Sequence, residues 1–255
     1  MKNNDRLNKF QELVKEGYNR EQISVSMGIT RRTILNYEKK LNIKIDNKKR
    51  ISNFDTSYFK VIDNEYKAYI LGFIFADGYI ETNGRTLTFN INKKDIDILN
   101  KIKKCMKSSA EFKKSSTENC IRLYFSSIEL VKDLNKYGVV RNKTKAIKFP
   151  NIDKSLYRHF LRGYFDGDGY IGKRQCTLVI GSEEMLKGVV DFLNNKFDID
   201  IYYKHKGNYY VVNFNRRNCN IVKWLYEDSN IYLDRKYKSY IENWSNYKET
   251  IRTRG

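Results

Sequence analysis

Hydrophobic residues recur along this chain with two periods, and each predicts a different element. Between Thr86 and Asn92 the apolar residues Leu87, Phe89 and Ile91 alternate with polar ones, which is typical of a half-buried strand. Apolar residues three or four positions apart predict helices instead. The same criteria predict further strands over residues 121–126, 174–180 and 209–215, and helices over residues 96–106, 128–137, 183–196 and 220–227.

Two apolar runs that end in Asp-Gly form an internal repeat. Residues 70–80 read ILGFIFADGYI and residues 161–171 read LRGYFDGDGYI. An offset of 91 positions aligns their aspartates, Asp77 and Asp168. Because the predicted elements after each run follow in the same order, the repeat predicts two similar halves, each with the outline α-β-β-α-β-β-α.

Small residues in both copies predict how the two halves meet. Gly72 and Ala76 lie four positions apart, as do Gly163 and Gly167, so each pair shares one face of a helix. Small residues on one face let a second helix approach closely. We expect the glycine after each aspartate to end its helix in the left-handed conformation.

The packing of these helices would bring two carboxylates together. Asp77 and Asp168 would lie side by side at the negative ends of two helix dipoles. Adjacent carboxylates repel each other unless a cation intervenes, and a hard divalent cation such as Mg²⁺ or Mn²⁺ suits oxygen ligands. The backbone carbonyls of Ala76 and Gly167 lie beside them. The alternative is two ordinary buried helices with exposed terminal aspartates, which the repetition of the whole pattern disfavours.

Both copies resemble the signature helix of the LAGLIDADG homing endonucleases, and the second copy resembles it very closely. The resemblance implies an α+β fold with two pseudo-symmetric half-domains, saddle-shaped antiparallel sheets, and the signature helices at the central interface. It also implies that Asp77 and Asp168 bind catalytic metal ions. The chain departs from the motif at its sixth position, often acidic in the family, which is Asp166 in the second copy but Phe75 in the first.

The resemblance further implies basic or amide residues at strand ends near the metals. Lys93 and Lys94 match that place in the first half, and we predict that they are catalytic. The second half has Ser182-Glu183 at the corresponding point, so its basic residue stays open. The candidates there are Lys173, Arg174 and Arg216.

A net charge of +19 and a pI near 9.6 predict a polyanionic partner, and the resemblance makes it double-stranded DNA. Polar side chains on the outer face of the sheets can read base edges in the major groove. A merely solvated basic surface is the alternative. The candidate contacts are Thr88, Asn90, Asn92, Arg122, Lys173, Arg174, Gln175, Lys204, Lys206, Arg216 and Arg217.

The first 45 residues predict a separate helix-turn-helix domain. Residues 1–50 carry 13 basic and 6 acidic residues, and Thr30 is placed to cap a helix that begins with Arg31 and Arg32. We expect Thr30, Arg31, Arg32 and Asn36 to contact DNA, unless the segment is a structural cap. The remaining predicted divisions are a linker over 46–57, half-domains over 58–150 and 151–245, and a basic tail over 246–255.

Four cysteines without C-x-x-C spacing predict reduced thiols rather than zinc ligands or disulfides. The chain shows neither a secretion signal nor a membrane span, so we expect the cytoplasm or an organelle matrix. Because one chain holds both copies of the motif, we expect a monomer. It begins at Met1 without splicing blocks, which argues against an intein.

The resulting functional prediction is a Mg²⁺-dependent endonuclease that makes a double-strand break in a long, pseudo-symmetric DNA target, as in intron homing. A non-cleaving DNA-binding transcription regulator and an RNA-binding intron maturase remain alternatives on the same fold. The sequence determines neither the target nor whether the protein is intron-encoded or free-standing.

Overall fold

The computed structural model describes residues 3–16, 18, 20–45, 54–141 and 143–246, without the side chains of residues 3, 4, 21, 22, 144 and 217. The chain divides into two compact units, Met1–Ser52 and Asn53–Gly255. Most of the predicted linker and all but the first residue of the predicted tail lie outside the described residues.

The described residues of the first unit form three helices. They are α1 (Asn3–Lys15), α2 (Arg20–Met27) and α3 (Arg31–Leu41). Thr30 caps α3 as the sequence predicts, because its hydroxyl accepts a hydrogen bond from the Thr33 amide at 3.3 Å. The helices share a small core formed by Phe10, Leu13, Ile23, Ile34 and Ile45.

The second unit contains two copies of one arrangement, as the repeat predicts. The first half consists of α4 (Glu65–Asp77), β1 (Gly78–Ile80), β2 (Thr86–Asn92), α5 (Ile96–Cys105), β3 (Lys113–Lys114), β4 (Cys120–Ser126) and α6 (Ile128–Lys136). The second half consists of α7 (Tyr157–Asp168), β5 (Gly169–Ile171), β6 (Gln175–Ile180), α8 (Glu183–Phe197), β7 (Tyr203–Lys206), β8 (Tyr209–Asn215) and α9 (Cys219–Tyr226). One further helix, α10 (Asp234–Asn243), follows and was not predicted. In the described part of the chain, every helix is too short or too polar to cross a membrane.

Each half folds around a four-stranded antiparallel sheet. The strand orders are β1-β2-β4-β3 and β5-β6-β8-β7, so the halves have the same topology. Leu87, Phe89 and Ile91 point into the core as predicted. Thr86 and Thr88 are buried as well, contrary to the expectation that they are exposed. Polar neighbours cover them, and the Thr88 hydroxyl donates a hydrogen bond to Glu81 at 2.8 Å.

Helices α4 and α7 pack side by side through their glycines, as predicted. A Cβ atom added at Gly72 would lie 1.9 Å from the Phe160 carbonyl oxygen, and one at Gly163 would lie 1.9 Å from that of Tyr69. One turn further on, a Cβ atom at Gly167 would lie 2.2 Å from the Cβ of Ala76. The helices therefore run in the same direction and end together.

The glycines that follow the two aspartates are not left-handed, so that prediction is wrong. Gly78 has φ −82° and Gly169 has φ −95°, both extended backbone. Each helix passes directly into a strand, and the chain doubles back against the preceding helical turn. A Cβ atom at Gly169 would lie 2.4 Å from the Phe165 carbonyl oxygen, so glycine is needed for close approach rather than for a positive φ.

The helix contact predicts a large effect of one methyl group. Gly163→Ala should destabilise the second unit by about 2 kcal/mol or more, because overpacking against backbone exceeds the roughly 1 kcal/mol that alanine adds to helix stability. Asn195→Ala, at an exposed position of α8, is the matched control and should change stability little. Chemical denaturation measures both, and equal stability of the two variants would contradict the close packing.

Candidate active site

The two repeat aspartates are the last residues of α4 and α7, so the packed helices bring their carboxylates to one place. A Cβ atom at Gly167 would lie 3.1 Å from Oδ2 of Asp77, so the Asp77 carboxylate lies against the end of α7. The negative charge of Asp77 also acts on Asp168 and raises its pKa. The two carboxylates are therefore close enough to influence each other's charge.

Their surroundings favour the protonated form of both acids. Burial raises the pKa of Asp77, while the charges of Lys236 and Lys143 act in the opposite direction. Burial raises the pKa of Asp168 to about 6, and the charge of Asp77 adds to the effect. The side chain of Asp168 is nevertheless exposed and that of Asp77 is half-buried, so the burial that raises their pKa is crowding by protein atoms around the two helix ends rather than exclusion of all water.

A lysine of the first half lies beside this pair. Lys143 follows α6, and its side chain is buried. Its Nζ atom donates a hydrogen bond to the carbonyl oxygen of Ala76 at 3.1 Å, at the C-terminal end of α4. Burial lowers the pKa of Lys143, and the charges of Asp168 and Asp77 counteract that shift.

A lysine of the second half takes the matching place at the end of α7. Lys236 lies in the first turn of α10, with a relative exposure of 1%. Its Nζ atom donates hydrogen bonds to the carbonyl oxygens of Phe165 and Asp166 at 2.7 Å each and of Gly169 at 2.5 Å. Burial lowers the pKa of Lys236 to about 8.

Each half thus places one ammonium group at the C-terminal end of its own repeat helix. A cation is favoured there because the unpaired carbonyls carry the negative end of the helix dipole. Among the described residues, Lys143 and Lys236 bond to these carbonyls and form no ion pair with Asp77 or Asp168. The carboxylate oxygens therefore remain available to a ligand.

Lys93 and Lys94, which were predicted for this role, contact neither carboxylate among the described residues, and their catalytic role stays a prediction. Lys93 and Lys94 are exposed in a single 3-10 turn, Lys93–Asp95, and the charges that most affect the two aspartates do not include theirs. Asp95 of the same turn does act on Asp77 and raises its pKa. The turn thus lies near the site, but an acid rather than a base acts on the carboxylates.

The second-half candidates lie beside the ends of strands of the second sheet, and their catalytic role stays a prediction. Lys173 and Arg174 are exposed on the loop before β6. Arg216 donates hydrogen bonds to the backbone carbonyls of Asn243, at 2.5 Å, and Lys173, and its guanidinium lies 4.5 Å from the ring centroid of Trp244. Arg216 therefore connects α10 to the sheet.

Sequence reasoning missed Lys143 and Lys236 for identifiable reasons. They are 93 positions apart, so the 91-residue offset of the repeat does not align them. Lys143 begins a short 3-10 turn and Lys236 lies in the first turn of α10, and neither element was predicted from the periodic patterns. The chain also has 49 lysines and arginines, among which neither position stands out.

The donor set of the site suits a hard divalent cation. Two adjacent carboxylates and the carbonyl oxygens of Ala76 and Gly167 supply oxygen only, which Mg²⁺ and Mn²⁺ accept. Lys143 already occupies one direction at the Ala76 carbonyl. No group of three or more His, Cys, Asp and Glu side chains that could hold a metal occurs among the described residues, so the side-chain ligands here would be Asp77 and Asp168 alone.

The predicted nucleic-acid contacts are unevenly placed. Asn90 and Arg122 are half-buried cross-strand neighbours, and Arg122 pairs with Glu81. Thr88 is buried, and the side chain of Arg217 lies outside the described residues. The exposed members of the second unit are Asn92, Lys173, Arg174, Gln175, Lys204 and Lys206. In the first unit, Thr30, Arg31, Arg32 and Asn36 are all exposed.

Comparison with known proteins bears on the fold. Residues 155–249 match the family model of a LAGLIDADG-like domain. The homing endonuclease I-WcaI, solved bound to its DNA recognition sequence, superposes with a TM-score of 0.52 at 18% identity, over 78% of this chain and 97% of that one. Full-length DUF199/WhiA from Thermatoga maritima superposes with a TM-score of 0.48 at 16% identity, over 75% of this chain and 66% of that one.

Among curated proteins, the chain is 28% identical over 166 residues to a Replication factor C small subunit of Methanocaldococcus jannaschii, which is 61% of this chain but 9% of that protein. The chain thus spans only a small part of such relatives, and their names describe much longer proteins. The fold and the motif nevertheless agree with the resemblance seen in the sequence. The second unit has the two-domain LAGLIDADG fold, and residues 155–249 are a LAGLIDADG-like domain.

Proposed function

We propose that this protein is a divalent-metal-dependent endonuclease that makes a double-strand break in DNA. The observation that carries the proposal is the pairing of Asp77 and Asp168 at the ends of two packed helices, each helix end holding a buried lysine. A fold that needed these helices only for packing would gain nothing from two carboxylates at the negative ends of the helix dipoles. Arrangements that raise the free energy of a charged group in this way are typical of functional sites.

Each group has a distinct role in this proposal. The two carboxylates bind Mg²⁺ or Mn²⁺, which supplies activation of water and neutralisation of charge on the phosphate. Lys143 and Lys236 hold their Nζ atoms beside the carboxylates, where negative charge develops in the transition state. Their bonds to backbone carbonyls fix these charges in advance, so little reorganisation is needed during the reaction.

The charge of the molecule supports DNA as the substrate. The chain carries a net charge of +19, and exposed cations lie on the loop before β6 and along β7. Such groups neutralise phosphates and release counterions, which gives most of the affinity without sequence preference. Since one chain contains both carboxylates, we propose that it acts as a monomer.

A non-cleaving regulator or an RNA-binding maturase would use the same basic surface. The paired carboxylates distinguish the proposals, because binding alone does not require them. A supercoiled plasmid library incubated with the protein in Mg²⁺ or in EDTA tests this directly. Nicking or linearisation only in Mg²⁺ supports cleavage, whereas retention of DNA without cutting supports the regulator.

Removing either carboxylate should separate cutting from binding. Asp77→Asn and Asp168→Asn should each abolish double-strand cleavage, because each removes one of two side-chain ligands to the metal. DNA affinity should stay within about twofold, since the basic surface is unchanged. Gel assays and fluorescence anisotropy measure the two properties, and full cutting by either variant would contradict the metal assignment.

Substitution of single lysines tests which of them are catalytic: the pair placed at the helix ends by the structure, or the pair predicted from the sequence. Lys143→Ala and Lys236→Ala should each slow cleavage by about 100-fold, as expected for loss of one preorganised charge. Lys93→Ala and Lys94→Ala remove the same charge from the exposed turn and should slow it far less. Single-turnover rates at saturating enzyme decide the matter, and the opposite ranking would restore the original prediction for Lys93 and Lys94.

The first unit is proposed to add DNA contacts through the start of α3. Replacing Arg31 and Arg32 with alanine should weaken binding and reduce the salt slope by about 2, because each lost phosphate contact releases about 0.9 fewer counterions. The matched control replaces Lys39 and Lys40, which are exposed at the other end of the same helix. Equal effects of the two double variants, or none, would contradict a helix-turn-helix docked by its N-terminal end.

A further inference from the structure

Residues of the chain between α9 and Lys236 form hydrogen bonds and an ion pair with other parts of the second unit. This segment, residues 230–236, is irregular until α10 begins at Asp234. Its backbone groups therefore need partners outside a helix or sheet. The side chains that supply them are Glu65, Asp97, Lys101, Arg162 and Asp166, while Asp95 pairs with the side chain of Arg235.

The repeat helices hold the beginning of the segment. Glu65, at the start of α4, accepts hydrogen bonds at 2.9 Å from both the backbone amide and the side-chain amide of Asn230. The fully buried Arg162 donates to the Ile231 carbonyl at 2.9 Å and to Glu65 at 2.7 Å. These contacts join the first residues of the segment to both helices.

Asp166 has a function in this arrangement that the motif did not suggest. It is buried, and its Oδ2 atom accepts a hydrogen bond from the Leu233 amide at 2.8 Å. The hydroxyls of Tyr69 and Tyr226 donate to the same carboxylate at 2.6 Å each. The first copy has Phe75 at this position, so only the second half holds its lysine segment in this way.

The first half holds the end of the segment, next to Lys236. Lys101 donates to the Tyr232 carbonyl at 2.7 Å, and Asp97 accepts from the Asp234 amide at 3.0 Å. Asp95 forms a two-point ion pair with Arg235, at 2.6 and 3.1 Å. Asp95, Asp97 and Lys101 are here called the clasp.

We propose that the clasp is a set of positioning residues by which the first half fixes the place of the second half's Lys236. The ion pair involves the residue immediately before Lys236, and the Asp97 contact holds the residue before that. An ordinary surface ion pair holds its partners weakly. These contacts act together on three of the four residues before Lys236, so the lysine cannot shift from the carbonyls of α7 unless several of them break.

The effect of the clasp on cleavage rests on the proposed function, but its positioning of Lys236 does not. The position of Lys236 is open to a test that needs no DNA, which is acylation of lysine amines by an N-hydroxysuccinimide ester followed by mass spectrometry. Asp97→Ala and Asp95→Ala should each raise the labelling rate of Lys236 at least fivefold. Labelling of Lys143, which contacts no clasp residue among those described, should not change and is an internal control.

Further variants separate positioning from general loosening. Asp133→Ala removes another buried first-half carboxylate, which pairs with Lys136 at 2.6 Å, and should leave the labelling of Lys236 unchanged. Asp95 and Arg235 act through one contact. Lys236 should therefore be labelled no faster in the double variant, with alanine at both positions, than in the faster of Asp95→Ala and Arg235→Ala. Unchanged labelling of Lys236, or an equal rise at Lys143, would overturn the proposal.

Cleavage completes the test. With the clasp broken, single-turnover cutting of one DNA strand should slow at least tenfold more than cutting of the other, while DNA affinity is retained. Equal slowing of both strands, or none, would overturn the catalytic part of the proposal. If the unsubstituted protein cuts no DNA, the proposed function fails, and the labelling rates alone decide whether the clasp positions Lys236.

Discussion

The structure of the second unit depends on the approach of two helices to a distance that only glycine permits. At Gly72 and Gly163 a single methyl group would overlap the backbone of the opposite helix. This contact aligns α4 and α7 in the same direction, so their C-terminal ends coincide. The two sheets, each continuous with one helix through β1 or β5, are thereby placed as a pair.

The same contact creates an electrostatic problem, which the chain resolves with lysines rather than with direct ion pairs. Two carboxylates at the negative ends of two helix dipoles are destabilised by burial and by each other. Lys143 and Lys236 lower that cost through space while they bond to backbone carbonyls. The lysines thus offset the charge of the carboxylates without bonding to their oxygens, which stay available to a metal ion.

The sequence was sufficient for the parts of the fold that follow a period or repeat. Alternation located β2, and the Gly-x-x-x-small spacing located the helix interface and the pairing of Asp77 and Asp168. It failed where tertiary contacts decide the outcome. Gly78 and Gly169 are required by contact with the preceding turn rather than by φ, Thr88 is covered by Glu81, and α10 with Lys236 follows an irregular segment held by side chains remote in sequence. The catalytic role of Lys93 and Lys94 followed from the resemblance and stays a prediction, and the structure shows that both are exposed on a turn.

In the proposed function, Asp77 and Asp168 together form one cation site. Anomalous diffraction from crystals soaked in Mn²⁺ tests this site directly, because the anomalous signal gives the position of the ion without an activity assay. A site shared by both carboxylates predicts a peak within coordination distance of oxygens from both, absent from crystals of Asp77→Asn under the same conditions. A peak elsewhere, or one that persists without the Asp77 carboxylate, would contradict it.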